Sequence, residues 1–373
     1  MKKVLLINQS TGYLMVDIVN AYKERYNDVV LIAGSIKVAE RAVNSGISID
    51  KIIAYDRRSA FRRAFTWIVA TFQILFKLIF KYKDYDIVYV TNPPMSYFIS
   101  LFIRRPFSVI VYDVYPDGLK DIGITSRNLF YKIWAYLNKK CLKKATCVFT
   151  LSKGMEELLK QYVNIKKIKI IPVWAASEGF CKVDKVINPF VKKYSLDNKF
   201  IVLYSGNIGY SHDVEPLLEV ANYLKEEKDI CFLIVGEGKK KKIVQDKVKE
   251  YGLSSCLFLT WQNATVFPYL LSAADVGVVS INEEAAKVSV PSKTFNLLAA
   301  GLPLLCIAPH TSELSSIIDR FKNGKCFDKC EVNEMADYIL DLKNNSDFRH
   351  KLSEESLVAS KQFTFKLAKE FVL

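Results

Sequence analysis

Histidine and cysteine are the scarce residues of this chain. Three histidines in 373 positions cannot furnish a His-rich metal centre, and the eight cysteines are scattered. Cys326 and Cys330 stand four apart, but no second Cys or His pair lies near enough in sequence to complete a tetrahedral site. Isolated thiols of this kind read as reduced, buried side chains of a cytosolic protein. Nor is a secretory signal expected: Met1-Lys2-Lys3 leads into only Val4–Ile7 before polar Asn8-Gln9-Ser10, the pattern of a first buried strand. No Asp-x-Asp lies at a predicted strand end, so no metal is expected.

What is present is ordinary in amount and uneven in placement. The length suits two domains. Half the residues are hydrophobic and a quarter charged, as in globular proteins with full cores. The net charge of +14 is concentrated. Arg57 to Lys83 holds seven basic residues and no acid, and Arg127 to Lys153 holds seven more and no acid. Both windows interleave large apolar residues, among them Trp67, Phe72, Phe76, Phe130 and Trp134. That mixture suits an anionic membrane surface, a nucleic-acid groove, or a core helix with solvated basic flanks. The run Trp67 to Phe80 is interrupted by Gln73 and Lys77 and reads as too short to span a bilayer.

Short apolar runs alternate with helical periodicity, which predicts parallel sheets covered by helices, an α/β architecture. Predicted strands are Val4–Ile7, Val29–Ala33, Ile52–Ala54, Ile87–Val90, Val109–Tyr112, Cys147–Leu151 and Ile168–Ile171, with helices such as Leu14–Tyr26 and Met155–Tyr162. A polar stretch from Cys181 to Asn198 reads as a linker. The pattern restarts with Phe200–Tyr204, Ile230–Val235, Leu257–Leu259 and Val276–Val279 as strands. Val214–Glu226, Lys240–Tyr251, Thr265–Ala273 and Met335–Asn344 are the helices of this half. Two doubly wound domains are expected, 1–185 and 186–352, facing across a ligand cleft. An amphipathic helix over 353–373 is expected to cross back.

Three strand ends carry candidate chemistry. Ser205-Gly206-Asn207-Ile208-Gly209 joins a strand to a helix, a junction where backbone amides can approach an oxyanion. His212, beside Asp213, reads as a structural or ligand-contacting group at the helix start. Val235-Gly236-Glu237-Gly238 is a second such end, followed by Lys239–Lys242, read as a solvated helix start. The third is Pro291-Ser-Lys-Thr-Phe-Asn-Leu-Leu-Ala-Ala-Gly-Leu-Pro303. Here Ser292 reads as the N-cap, Phe295, Leu298 and Ala299 as the buried face, and Gly301 as the stop. Lys293 in the first turn opposes the helix dipole at a cost of some tenths of a kcal/mol. A polyanion at that helix end reverses the sign. Thr294 and Asn296 are expected to stay free for a polar ligand, Asn296 bonding its sugar.

These segments, with Asp86-Ile-Val-Tyr-Val-Thr-Asn-Pro-Pro, Val111-Tyr-Asp-Val-Tyr-Pro-Asp, Thr150-Leu-Ser-Lys-Gly-Met and Ile170-Ile-Pro-Val-Trp, occur in order along nearly the whole chain. Together they resemble the family-4 glycosyltransferases of the GT-B fold, in the branch that builds bacterial surface polysaccharides. The resemblance implies a second domain that holds a nucleoside-diphosphate sugar, transfer with retention at the anomeric carbon, and no metal or other cofactor. It implies a first domain that meets a glycan acceptor, often lipid-linked, at the cytoplasmic face of the membrane, with no nucleic-acid partner. Donor-binding positions are then Gly206, Asn207, Gly209, His212, Gly236, Ser292, Lys293, Thr294, Asn296 and Glu313. Asp113 matches the acidic or His position facing the transferring sugar, Lys293 becomes the phosphate cation, and Gly12 falls on the acceptor side.

The chain departs from that pattern in two places. Many members carry two Glu eight positions apart, where this chain has Val288 and Asn296. Glu283, Glu284 or Glu313 are the candidates for the missing carboxylate. The basic pair that often follows the glycine loop is replaced by Tyr210 and Ser211. Those losses leave a rival reading, a non-catalytic nucleotide-sugar-binding or scaffold subunit. A same-fold nucleotide-sugar 2-epimerase fits less well, since it needs several carboxylates and histidines converging on the sugar.

Overall fold

A computed structural model describes residues 2–37, 41–122, 125–176, 180–287 and 290–373. The chain divides into two compact units, Met1–Val173 with Phe365–Leu373, and Trp174–Thr364. Sequence reading puts the boundary twelve residues later, after 185.

The first unit is built on a seven-stranded sheet in the order Ile47–Lys51, Asp28–Ala33, Lys3–Ile7, Asp86–Val90, Phe107–Ile110, Val148–Thr150, Ile168–Ile170. All its pairings are parallel. Helices cover both faces, so the central strands are apolar on both sides and read as unbroken hydrophobic runs. Val4 to Ile7 are fully buried. The edge strand is different. Sequence reading places it at Ile52–Ala54, but the ladder runs over Ile47–Lys51, paired with Val29–Ala33. Its alternation Ile-Ser-Ile-Asp-Lys hides it as polar loop, because an edge strand keeps one side in water.

The second unit holds six parallel strands in the order Cys256–Leu259, Ile230–Val235, Phe200–Ser205, Val276–Ser280, Leu304–Ile307, Gly324–Phe327. Numbered along the chain this is 3-2-1-4-5-6, a dinucleotide-fold order whose reversal falls between Phe200–Ser205 and Val276–Ser280. Ligands of such sheets sit beyond the carboxyl ends of the two strands at the reversal. Phe200, Tyr204, Phe232, Met335 and Ile339 belong to the core beneath them.

Two expectations about connections need correction. The stretch 181–198 is no free linker: Asn188 and Val191 are fully buried, and Asn188 caps the short helix Pro189–Lys193. Val183 donates its amide to Ser272 Oγ at 3.0 Å, and Lys185 pairs with Asp275. Polar composition concealed this because its polar atoms are spent on the second unit. Nor is 353–373 a single helix. Ser346–Ser360 is one helix of the second unit, and Phe365–Phe371 is a separate 3₁₀ turn of the first. Phe363 interrupts them by packing on Phe295 and Phe321, with ring centres 4.8 and 5.9 Å away. In the first unit Phe371 meets Phe149 at 5.1 Å, and its carbonyl accepts from the Tyr22 hydroxyl at 2.7 Å.

Candidate functional site

The carboxyl ends of Phe200–Ser205 and Val276–Ser280 are adjacent in the ladder, so the segments leaving them meet. Lys293 lies at the start of the helix Lys293–Ala299, and its side chain runs to the loop that follows Ser205. A Cβ on Gly206 would stand 2.5 Å from Lys293 Nζ. The ammonium is buried, makes no hydrogen bond, and sits 3.9 Å from the centre of the Tyr204 ring. A buried cation ordinarily has an anionic partner; here it has the ring face. Burial pulls the Lys293 ammonium down to about 7. His212 completes the recess: burial first, and Lys293 second, hold its imidazole down at about 4. Its Nδ1 is 2.8 Å from Ser211 Oγ.

The two glycine-bearing strand ends are stitched together. Gly206 N donates to Val235 O, Ile208 N to Glu237 O, and Lys240 N to Ile208 O, at 2.9 to 3.0 Å. Gly236 has φ +152, and a Cβ there would collide with the Gly206 carbonyl. Its role is therefore close backbone packing that fixes the 206–209 loop. The amide of Gly206 is already spent. Asn207 and Gly209 keep theirs, since among the described residues neither amide has an acceptor. The Asn207 side chain folds over Gly209, where a Cβ would lie 2.6 Å from Nδ2. Lys240 is not merely solvated: Asp213 at 3.2 Å and Glu215 both pair with it.

Several expectations for the 291–301 segment change. Ser292 precedes the helix in αR conformation and caps nothing with its side chain. Thr294 is fully buried with an unbonded Oγ1, and its amide goes to Pro291 O at 3.1 Å. Asn296 is not free either, because its Oδ1 accepts from the Ala176 amide at 2.9 Å. Leu297 is buried beside Phe295 and Leu298, so the helix is enclosed on more than one face. Val288 lies outside the described residues. Glu283 and Glu284 are exposed and pair with Lys287. Glu313 opens the helix Glu313–Phe321, which Ser312 caps by accepting from Ser315 N.

Asp113 and Gly12 belong to the first unit. Asp113 follows Phe107–Ile110, is exposed, and donates its amide to Thr91 Oγ1 at 3.4 Å. Gly12 holds the N-cap position of Tyr13–Lys23 with open space where a Cβ would be. Around them lies a feature that sequence reading missed. Asn8 Oδ1, Gln9 Oε1, Asn92 Oδ1, Tyr112 Oη and Thr150 Oγ1 are buried, make no hydrogen bond, and all end or follow neighbouring strands. Buried polar atoms without protein partners call for ordered water or a polar ligand to satisfy them. Apolar periodicity carries no trace of them.

Among the described residues one group could hold a cation. His310 Nε2 lies 3.7 Å from Asp328 and 3.9 Å from Glu331, all in exposed or half-exposed loops after Leu304–Ile307 and Gly324–Phe327. His310 stands 18 positions before Asp328 and 21 before Glu331, so the group as a whole shows no ligand spacing in sequence.

Comparisons with known proteins bear on the fold and on residues 187–357. Residues 187–357 match the family described as glycosyl transferases group 1. A probable glycosyltransferase of Pseudomonas aeruginosa, WbjE, is 24% identical over 325 residues, 83% of this chain and 80% of that protein. A putative colanic acid biosynthesis glycosyl transferase of Escherichia coli, WcaI, is 31% identical over 217 residues, 57% of this chain and 53% of that one. The crystal structure of Anabaena HepE in complex with UDP-glucose superposes with a TM-score of 0.73 at 15% identity, covering 99% of this chain and 98% of that one. Residues 187–357 are thus similar to the glycosyl transferases group 1 family, and the fold of the chain is that of the GT-B glycosyltransferases.

Proposed function

We propose that the protein is a retaining glycosyltransferase that moves a sugar from a nucleoside-diphosphate sugar to a polyprenyl-linked glycan. It would serve bacterial surface-polysaccharide synthesis from the inner face of the cell membrane. The observation that carries the donor assignment is Lys293, a buried ammonium with no hydrogen-bond acceptor at a strand-order reversal. A diphosphate placed there meets that charge together with the unspent amides of Asn207 and Gly209. Charge that develops on the diphosphate as the anomeric bond breaks is stabilised by these preset groups, which is how such sites lower a barrier. Lys293 supplies the positive charge that other enzymes take from a metal, so no ion is required.

The unpartnered polar atoms at the strand ends of the first unit suit the hydroxyl-rich acceptor, with Asp113 as the carboxylate on that side. UDP-bound HepE supports a uridine donor as the first to try. The exposed basic residues of the 57–83 and 127–153 windows favour an anionic membrane surface over nucleic acid, because aliphatic and aromatic side chains outnumber groups that could read bases. The test is incubation with radiolabelled nucleotide sugars and membranes bearing polyprenyl-linked glycans, followed by nuclear magnetic resonance of the new linkage. Transfer with the donor's anomeric configuration supports the reading. An inverted linkage, an epimerised nucleotide sugar, or binding without turnover overturns it.

A further inference from the structure

The helix Ala60–Phe80 of the first unit has two faces of opposite fate. Thr66, Trp67, Ala70, Ile74 and Leu78 are buried. On the other side Phe61, Phe65, Ile68, Phe72, Phe76 and Ile79 are exposed, Phe61 by 81% and Phe76 by 60%. At about 100° per residue these six fall within an arc of roughly 80°, opposite the buried set. The stripe is about 30 Å long at 1.5 Å per residue. Soluble surfaces rarely leave such a strip uncovered.

The helix is long and apolar enough to cross a membrane by length and composition. Its buried face forbids that, since Trp67 stacks on Tyr55 at 5.8 Å and meets Tyr115 edge-on at 6.0 Å. A helix held on one side and greasy on the other fits a bilayer only by lying in its plane.

Charge selects the occupant. From 64 to 76 the helix has no ionisable residue, whereas both ends are net basic: Arg57, Arg58, Arg62 and Arg63 outnumber Asp56 at one, and Lys77, Lys81 and Lys83 outnumber Asp50 at the other. A second copy of this chain, docked stripe to stripe, would set basic end against basic end in either orientation. An anionic bilayer accepts both ends at its headgroups and the phenylalanines beneath them. The patch continues nearby. Helix Leu129–Leu142 exposes Leu129, Phe130, Ile133 and Tyr136 beside Lys132, Lys139 and Lys140, and Phe102 is 80% exposed. Both helices pack on the same Ser96–Leu101 turn.

We infer that the Ala60–Phe80 helix is an in-plane membrane anchor that inserts Phe61, Phe65, Phe72 and Phe76 below the headgroups of an anionic bilayer. Electrostatic attraction is then the approach and apolar insertion the hold. The inference rests on the membrane placement proposed above only for its choice of partner.

Flotation of the full chain with phosphatidylcholine vesicles containing phosphatidylglycerol tests it. The wild type should bind at low salt and stay partly bound at high salt, which screens surface charge but not burial. The triple variant Phe61→Ser, Phe72→Ser, Phe76→Ser should partition at least about a hundredfold more weakly, with an unchanged circular dichroism spectrum and undiminished nucleotide-sugar binding. Phe72→Trp should be quenched by brominated acyl chains. Equal flotation of the triple variant, an unquenched Trp at 72, or a wild-type dimer that the triple variant splits would overturn the anchor. Nucleotide-sugar binding and transfer to a water-soluble acceptor report on the enzyme reading separately.

Discussion

Lys293 Nζ stands 3.9 Å from the centre of the Tyr204 ring and has no hydrogen-bond acceptor. A cation over an aromatic face recovers about 1–2 kcal/mol, less than removing an ammonium from water costs. The site is therefore held at the expense of stability, as is common where function needs a charge in place. The depressed Lys293 value measures that expense. Because the folded value of about 7 lies below the unfolded 10.5, the destabilisation is fully present below pH 7. It fades as pH rises toward 10.5. Lys293→Met should raise the melting temperature at pH 7, by a gain on the order of a few kcal/mol. It should also weaken nucleotide-sugar binding roughly ten- to a hundredfold, the worth of a charge-assisted hydrogen bond. Calorimetry and thermal melts of the one variant check both signs. Unchanged affinity would make the lysine a packing residue.

The same lysine couples donor binding to protons. A diphosphate beside Nζ favours the charged form, so the bound value rises above the free value of about 7. Affinity for a nucleotide sugar should be level below pH 7 and fall as pH rises beyond it, with uptake approaching one proton per donor. His212, held at about 4, stays neutral through this range and adds no slope. Titrations in buffers of different ionisation enthalpy measure the uptake directly. Lys293→Met should abolish it.

Much of this site was legible in sequence because its parts are local. Gly206, His212 and Lys293 stand next to strand ends that apolar runs disclose, and they do meet. What pairs with them was not legible. That Asn296 serves Ala176, 120 positions away, or that Gly206 and Ile208 spend their amides on the next strand end, depends on tertiary contacts without periodicity. The same limit concealed the edge strand at 47–51. Its Asp50, against the cost of burial, is held at about 2 by hydrogen bonds from Lys77, Tyr82 and Lys81. Those partners lie on and after a helix that the edge strand itself helps to seat.

If Lys293 is the diphosphate's counter-charge, excess EDTA should leave transfer intact. The His310, Asp328 and Glu331 group sharpens this test, since it is the one cluster among the described residues whose ligand atoms lie within 4.8 Å of one another. Activity lost in EDTA and restored by Mn²⁺ or Mg²⁺ would move the positive charge from the lysine to an ion. Loss of that restoration in His310→Ala would then locate the ion.

Two glycines at the site should respond oppositely to one added methyl. At Gly206 a Cβ meets the Lys293 Nζ at 2.5 Å and Cε at 2.7 Å, the far end of a flexible chain that can swing away at little cost. Gly206→Ala should leave the melting temperature within a degree or so of wild type, in keeping with a small stability change, or raise it by releasing the ammonium to water. It should still weaken nucleotide-sugar binding toward the level of Lys293→Met. At Gly236 the Cβ collides with the Gly206 carbonyl, and φ is +152, so neither the neighbour nor the backbone can give way cheaply. Gly236→Ala should destabilise by about 1–3 kcal/mol. Its effect on binding should come through the displaced loop, with calorimetric affinity and melting temperature falling together. The pair separates a residue that touches the binding charge from one that holds the loop. If Gly206→Ala binds donor as wild type does, the Lys293 ammonium is not aimed at the diphosphate, whatever its burial.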